Sequence, residues 1–240
     1  IVEIMTEEEG WEELAEFYFN KLNYLEEIDE RVKIYHAGAR IYDDKLKQPE
    51  NAFLVMQRAF EEDYSSDETA DYLEKLASIT GKWDELLGSC NTVLQSVQDQ
   101  DTQINLCLKI GKWYADELGH PEYAIAYYQQ VLQLDPENVP ALKLMGELYR
   151  GAKQWDELVQ VLKKAIEAEK EDDNRKEFLV ELGEIYEEYV QDVPLARKAY
   201  KDALNLDPGL ETAINALERL LGTAQNWEEL IPILERKLDV

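Results

Sequence analysis

Apolar residues recur at three- and four-residue intervals along nearly the whole chain, and this spacing predicts a succession of amphipathic helices. Prolines, glycines and Asp-Pro pairs interrupt the pattern and mark where helices end. The predicted helices span about 11–26, 30–46, 50–62, 67–79, 83–97, 102–118, 122–134, 139–151, 155–170, 175–190, 195–206, 210–222 and 227–238. The chain shows no strand pattern, so the predicted fold class is all-α.

Four tryptophans, each 72 residues from the next, indicate that these helices form a repeat: Trp11, Trp83, Trp155 and Trp227. They stand in the phrases GWEEL, KWDEL, QWDEL and NWEEL. An interval of this length suits two helical hairpins of about 34–38 residues each. We interpret the tryptophan as one large residue per unit that wedges between adjacent hairpins, and the alternative is a recurring ligand clamp.

The period predicts a single repeat domain over residues 1–240, with units at about 1–66, 67–138 and 139–210 and a partial unit at 211–240. Aligned on the tryptophans, Ile1 falls in the middle of a first helix and Val240 near the end of a second helix. We therefore expect a piece of a longer array, truncated at both ends. The apolar residues within 1–5 then predict end-to-end self-association.

The second hairpin of each unit carries the clearest motif. Residues 110–136 read IGKWYADELGHPEYAIAYYQQVLQLDP, and residues 182–208 follow the same pattern. Both segments resemble the tetratricopeptide repeat family, and the residues that carry the resemblance are Gly111, Tyr114, Ala124, Tyr128, Val131, Pro136, Gly183, Tyr186, Ala196, Tyr200, Ala203 and Pro208. The first hairpins match more loosely, through Gly146, Tyr149, Leu158, Leu162 and Ala165. The resemblance implies a right-handed superhelical solenoid of antiparallel helix hairpins.

The charge balance narrows the classes of partner. The chain has 52 acidic and 25 basic residues, a formal net charge of −27, which disfavours nucleic acid and anionic membrane surfaces. No stretch approaches the ~20 apolar residues of a membrane span, so no membrane insertion is expected. The two cysteines, Cys90 and Cys107, occupy apolar helix positions and are expected to be buried. A cytoplasmic location is favoured, although the sequence does not establish a compartment.

Residues that would indicate catalysis or metal binding are sparse. His36 and His120 lie in different hairpins, so neither forms a pair with metal-ligand spacing. His120 is expected in an exposed turn, whereas His36 can face either the core or the partner-binding surface. The sequence contains no phosphate-binding glycine loop or nucleophile elbow. We therefore predict no catalytic residues, metal or cofactor, and a protein that is not an enzyme.

The resemblance implies a protein–protein interaction scaffold that binds an extended peptide or a helix of a partner. The alternatives are a structural spacer or assembly strut, and an accessory repeat domain of a larger multidomain protein. The family's concave surface is typically lined by the residue two before the first-helix tyrosine position. Here those positions are Arg40, Lys75, Lys112, Glu147, Glu184 and Arg219.

These six positions predict a partner-binding groove divided by charge. The first three are basic, and we expect them to face acidic residues of a bound segment. The competing interpretation is local pairing along each helix, of Arg40 with Asp43 or Asp44, of Lys75 with Asp71 and of Lys112 with Asp116.

Overall fold

The computed structural model describes residues 10–239, apart from the side chains of residues 238 and 239. Over these residues the chain is helical and contains no strand, which confirms the all-α prediction. The apolar segment 1–5, which was expected to associate end to end, lies outside the described residues.

Thirteen α-helices follow one another along the described chain. They are α1 Trp11–Leu22, α2 Ile28–Arg40, α3 Pro49–Glu62, α4 Asp67–Thr80, α5 Trp83–Ser96, α6 Gln100–Asp116, α7 Pro121–Leu134, α8 Val139–Gly151, α9 Trp155–Ala168, α10 Asp172–Ile185, α11 Val193–Leu206, α12 Glu211–Thr223 and α13 Trp227–Asp239. Helices α2 and α10 are extended by π-helical turns at Ile41–Lys45 and Tyr186–Val190. The prediction of the helices is confirmed, with most ends within two residues of those expected.

The chain divides into two compact units, with the boundary between Leu106 and Cys107, inside α6. In the first unit, α1 to α5 pack in sequence order. In the second unit, α7 to α13 do the same. Because the connecting loops are short, consecutive helices form antiparallel hairpins. We refer to the even-numbered helices as first helices of a hairpin and to the odd-numbered ones as second helices.

The turns between helices repeat a left-handed backbone residue at the 72-residue interval. Two series occur, one at Lys47, Gly119 and Gln191 and the other at Gly81, Lys153 and Gln225, all with φ between 54° and 73°. After the first series, the next residue donates its backbone N–H to a carbonyl six residues earlier, as Gln48 does to Tyr42 at 2.8 Å. The repeat therefore preserves backbone conformation where the side chain changes, even though glycine tolerates this conformation best.

Each unit has a closely packed core. In the first unit Phe53, Phe60 and Leu73 are almost completely buried, and in the second unit Leu158 and Leu204 are. Burial of the two cysteines confirms the prediction for them. Burial also raises the pKa of the Cys107 thiol to about 11, so that it remains protonated at neutral pH.

In two hairpins of the second unit, α6–α7 and α10–α11, a glycine lies under an aromatic ring. A Cβ placed on Gly183 would lie 2.6 Å from Cε1 of Tyr200, and a Cβ on Gly111 would clash with the ring of Tyr128 in the same way. Both rings are buried. The small residue of the repeat motif is thus required because an aromatic side chain from the next helix occupies the space of its side chain.

The tryptophans confirm the wedge interpretation only in part. Trp83 is buried, and the half-buried Trp155 ring stacks on Tyr189 with 3.8 Å between ring centroids. Lys45 occupies the position equivalent to Tyr189, and its Nζ lies 5.0 Å from the centre of the Trp11 ring. Trp227, however, is 58% exposed, so the described residues form no wedge there.

Candidate functional site

All six predicted partner-binding residues lie on first helices, and the side chain of each is exposed. In the first unit, Arg40 lies at the end of α2 and Lys75 on α4. In the second unit, the positions are Lys112 on α6, Glu147 on α8, Glu184 on α10 and Arg219 on α12. The repeat period therefore identified one equivalent, solvent-facing position on each first helix.

Ion pairs in the first unit connect neighbouring first helices. Arg40 Nη2 lies 3.2 Å from the Glu68 carboxylate, and Lys75 Nζ lies 3.2 Å from that of Asp43. The hydroxyl of Tyr72 donates a hydrogen bond of 3.1 Å to Asp43 as well. The competing interpretation paired Arg40 with Asp43 or Asp44 on its own helix, whereas the observed partner is on α4. Such pairing joins consecutive hairpins, because equivalent positions of stacked helices are close in space.

The second unit repeats one of these links 144 residues later. Arg219 Nη2 lies 3.1 Å from Glu187, and these two residues correspond to Lys75 and Asp43. Tyr200 also donates a hydrogen bond of 3.3 Å to Glu187. In the 72-residue repeat between these two, the corresponding positions hold Ala115 and Glu147, so the link cannot form there. Glu147 is thereby left as an exposed carboxylate.

Carboxylates accumulate on α10 and its π-helical turn in the second unit. Partial burial raises the pKa of Glu184, Arg150 opposes this shift, and the neighbouring carboxylates of Glu188, Glu181 and Glu187 raise the pKa further. Arg150 forms an ion pair with Glu181. We define the acidic face as Glu147, Glu181, Glu184, Glu187 and Glu188, and it carries more negative charge than its neighbouring arginines neutralise.

A small apolar slot opens beside the acidic face, between α8, α9 and α10. Its volume is about 140 Å³. Its walls are mainly apolar and are formed by Leu142, Gly146, Val161, Leu162, Ala165 and Phe178. Its mouth carries Lys143, Glu147, Arg150 and Glu181. The slot therefore combines an apolar interior with a charged rim, as sites that bind side chains of a partner do.

The slot exists because Gly146 has no side chain and no ring takes its place. A Cβ on Gly146 would meet Leu158 Cδ1 at 3.5 Å and Val161 Cγ1 at 3.9 Å, which are ordinary contact distances. The residue at the equivalent position is Glu74 in the preceding 72-residue repeat and Glu218 in the following one. Glu218 forms an ion pair there with Lys237 of α13, whereas Ala165 stands at the Lys237 position beside Gly146. The sequence analysis identified this glycine as a family mark but missed the slot, which alignment of these three positions indicates.

His36 belongs to the first unit and is buried rather than free to react. Its Nε2 is 2.9 Å from the hydroxyl of Thr69, and its Nδ1 is 3.6 Å from Glu68. Burial lowers the pKa of His36, and the nearby Arg40 lowers it further, although Glu68 opposes both. The ring joins α2 to α4 as part of the packing. His120 is exposed at the start of α7, as predicted, and lies 3.1 Å from Glu122.

Between residues 10 and 239 no group of three or more His, Cys, Asp or Glu residues is arranged to hold a metal ion. Within the same part of the chain, every helix is too short or too polar to cross a bilayer.

Comparisons with known proteins bear on the fold. Residues 117–182 match the family model of the tetratricopeptide repeat. Solved structures with similar folds include that of MamA, at 20% identity, a TM-score of 0.48, and coverage of 68% of this chain and 91% of that chain. They also include YrrB, described as a TPR protein with an unusual peptide-binding site, at 17% identity, a TM-score of 0.48, and coverage of 84% and 98%. No curated protein matches the chain in sequence.

The helical hairpins define the class of protein, that of all-α helical-repeat proteins, and the family match supports a protein–protein interaction scaffold in general. The tetratricopeptide match over residues 117–182 agrees with the resemblance predicted from the second hairpins, and it includes the hairpin that forms the slot.

Proposed function

We propose that the exposed surface of the first helices binds an extended segment of a partner protein, and that the acidic face of the second unit receives basic residues of that segment. The observation that carries the proposal is the excess of carboxylates around Glu184. A carboxylate cluster that neighbouring arginines neutralise only in part, on an otherwise rigid helical surface, attracts cationic side chains at little conformational penalty.

The helices that present the acidic face are firmly positioned. Leu182 and Ile185 on the opposite side of α10 are buried, and Leu142 and Met145 anchor α8 in the same way. The carboxylates of Glu147 and Glu184 therefore project from fixed backbones. No reacting group is needed for such binding, which is consistent with a scaffold whose activity is recognition.

The test is titration of the protein with a lysine–alanine octapeptide, acetyl-KAKAKAKA-amide, at low ionic strength. Exposed ion pairs contribute about 0.2–1 kcal/mol each, so Glu147→Gln combined with Glu184→Gln should weaken binding about two- to thirtyfold. The control is Glu137→Gln combined with Glu167→Gln, which removes the same charge from exposed positions outside the acidic face. Equal weakening by both pairs would show that only the net charge of the chain attracts the peptide.

For the basic positions the proposal assigns acidic residues of the partner to Arg40, Lys75 and Lys112. Arg40 and Lys75 already contact Glu68 and Asp43, and both side chains are more than half exposed. Exchange of one exposed carboxylate partner for another is energetically inexpensive. Changing all three residues to Gln should weaken binding of a glutamate–alanine octapeptide and reduce its salt dependence. Unchanged affinity and salt dependence would exclude these residues from the binding surface.

A further inference from the structure

The slot at Gly146 is a break in an otherwise regular packing pattern. In two other hairpins of the second unit, the ring of Tyr128 covers Gly111 and the ring of Tyr200 covers Gly183. At Gly146 the chain retains the glycine but supplies no ring, since the closest side-chain atoms are those of Leu158 and Val161. Glycine is less stable than alanine inside a helix, and the space beside Gly146 would admit a methyl group. The empty volume therefore has no explanation in the packing of the hairpin itself.

We infer that this slot binds one aromatic side chain of the partner segment, a phenylalanine flanked by basic residues. The inference rests on the proposed function, because the acidic face beside the slot would hold the flanking residues. It adds an apolar anchor, which provides specificity that charge attraction alone does not.

The size of the slot fits an aromatic ring. Its volume of about 140 Å³ is close to that of a protein cavity of about 150 Å³ that binds benzene. A methyl group would leave most of that volume unfilled, and an indole ring exceeds it. A phenyl ring thus fits the volume, as an aliphatic side chain of leucine size also does, and the walls of the slot distinguish the two.

The walls of the slot favour the same occupant. Phe178, which is half-buried, lines one side and can form an edge-to-face contact with a second ring. Leu142, Val161 and Leu162 provide the remaining apolar surface. A ring that enters from the first-helix surface leaves its backbone at the mouth, beside the Glu147 and Glu181 carboxylates. Those carboxylates lie within reach of basic residues on either side of the phenylalanine.

The rim also limits which segments fit. Lys143 and Glu147 stand one helical turn apart at the mouth, and Arg150 is engaged by Glu181. Glu184 is close enough to Arg150, Glu181 and Glu188 for their charges to shift its pKa, so an acidic flanking residue beside this ion pair would meet net repulsion. The occupant is therefore a basic–aromatic segment and not an acidic one.

The experiment compares two peptides that differ in one residue, acetyl-KAKAKAKA-amide and acetyl-KAKFKAKA-amide, by NMR titration of the full chain. We expect the phenylalanine peptide to bind about tenfold more tightly to the unaltered protein. In Gly146→Met, the flexible side chain fills the slot, and the preference should fall below about twofold. Gly146→Ala should reduce it to an intermediate value. The matched control is Gly151→Met, on the same helix, where a Cβ meets no atom within 4 Å, and it should retain the full preference.

The outcomes separate the inference from the proposed function. Equal affinity for the two peptides, still reduced by Glu147→Gln with Glu184→Gln, would overturn the slot and leave the acidic face in place. Failure of both peptides to bind would overturn the proposed function itself. Retention of the tenfold preference in Gly146→Met, with the variant folded by circular dichroism, would place the aromatic site elsewhere.

Discussion

Two glycines in the second unit, Gly146 and Gly183, occupy the same place in consecutive hairpins and have opposite surroundings. At Gly183 the buried ring of Tyr200 lies where a side chain would be, so the glycine is a requirement of close packing. In the Gly146 hairpin Leu162 stands at the motif position of that ring, the closest side chains are Leu158 and Val161, the space remains open, and the mouth carries charge. The comparison shows that one motif residue can serve the core in one hairpin and create a binding site in the next.

The largest effect is expected from removal of the ring at the filled position. Tyr200 is only 2% exposed, so Tyr200→Ala should lower the free energy of unfolding by about 3–5 kcal/mol. Tyr200→Phe retains the ring and loses only the hydrogen bond to Glu187, and it should lower the free energy by less than about 1.5 kcal/mol. Urea denaturation followed by circular dichroism measures both. A loss below about 1 kcal/mol for Tyr200→Ala would mean that the ring does not close the hairpin.

The two glycines should respond to alanine with opposite signs. Gly183→Ala forces a Cβ against the Tyr200 ring and should destabilise the protein by about 1–3 kcal/mol. Gly146→Ala meets no close contact and should stabilise it by about 0.5–1 kcal/mol, because alanine favours the helix. The same urea measurements apply. Effects of the same sign at both sites would remove the basis of the comparison.

Glycine substitutions in the connecting turns should change stability equally in the two hairpins, since only the packing around the helix glycines differs. Lys153 in the Gly146 hairpin has φ 57°, and Gln191 in the Gly183 hairpin has φ 60°. Lys153→Gly and Gln191→Gly should each stabilise the protein by about 0.5–1 kcal/mol, since glycine adopts this conformation without strain. Gly81→Ala, at φ 73°, is the matched reverse change and should destabilise. Unequal gains at the two sites would show that the turns also differ.

The smallest effect concerns the pH dependence of the acidic face. The raised pKa of Glu184 means that the folded state holds this proton more firmly than the unfolded state does. Above the ordinary glutamate pKa, stability from this group therefore falls as pH rises through the folded value. Glu184→Gln should raise the melting temperature at neutral pH and lose that advantage toward about pH 4. A destabilised Glu184→Gln variant at neutral pH would contradict the assigned burial and repulsion.

Much of the fold could be predicted because local signals and the repeat agree. The 72-residue interval located the helices, the buried small residues and one exposed position on each first helix. The exposure of Trp227 was not predicted, because periodicity treats every repeat as equivalent, whereas the burial of each tryptophan depends on its own contacts, as that of Trp155 does on Tyr189. The ion pair between Arg40 and Glu68, which joins two hairpins, was missed because spacing along one helix predicts only pairs within that helix.

The slot was not predicted, for a different reason. Gly146 matches the family motif, so its sequence looks like that of a core position. The distances from its Cβ position to Leu158 and Val161 show that no ring covers it. The sequence does carry a signal of such a site. Leu162 stands at the motif position where the other two hairpins have a tyrosine.

The most direct test of the account is the measurement of nuclear Overhauser effects between the phenylalanine ring of acetyl-KAKFKAKA-amide and methyl groups of the protein. The account predicts contacts from the ring to the methyl groups of Val161 and Leu162, and their loss in Gly146→Met. Ring contacts confined to other exposed apolar residues, such as Ile231 on α13, would contradict it.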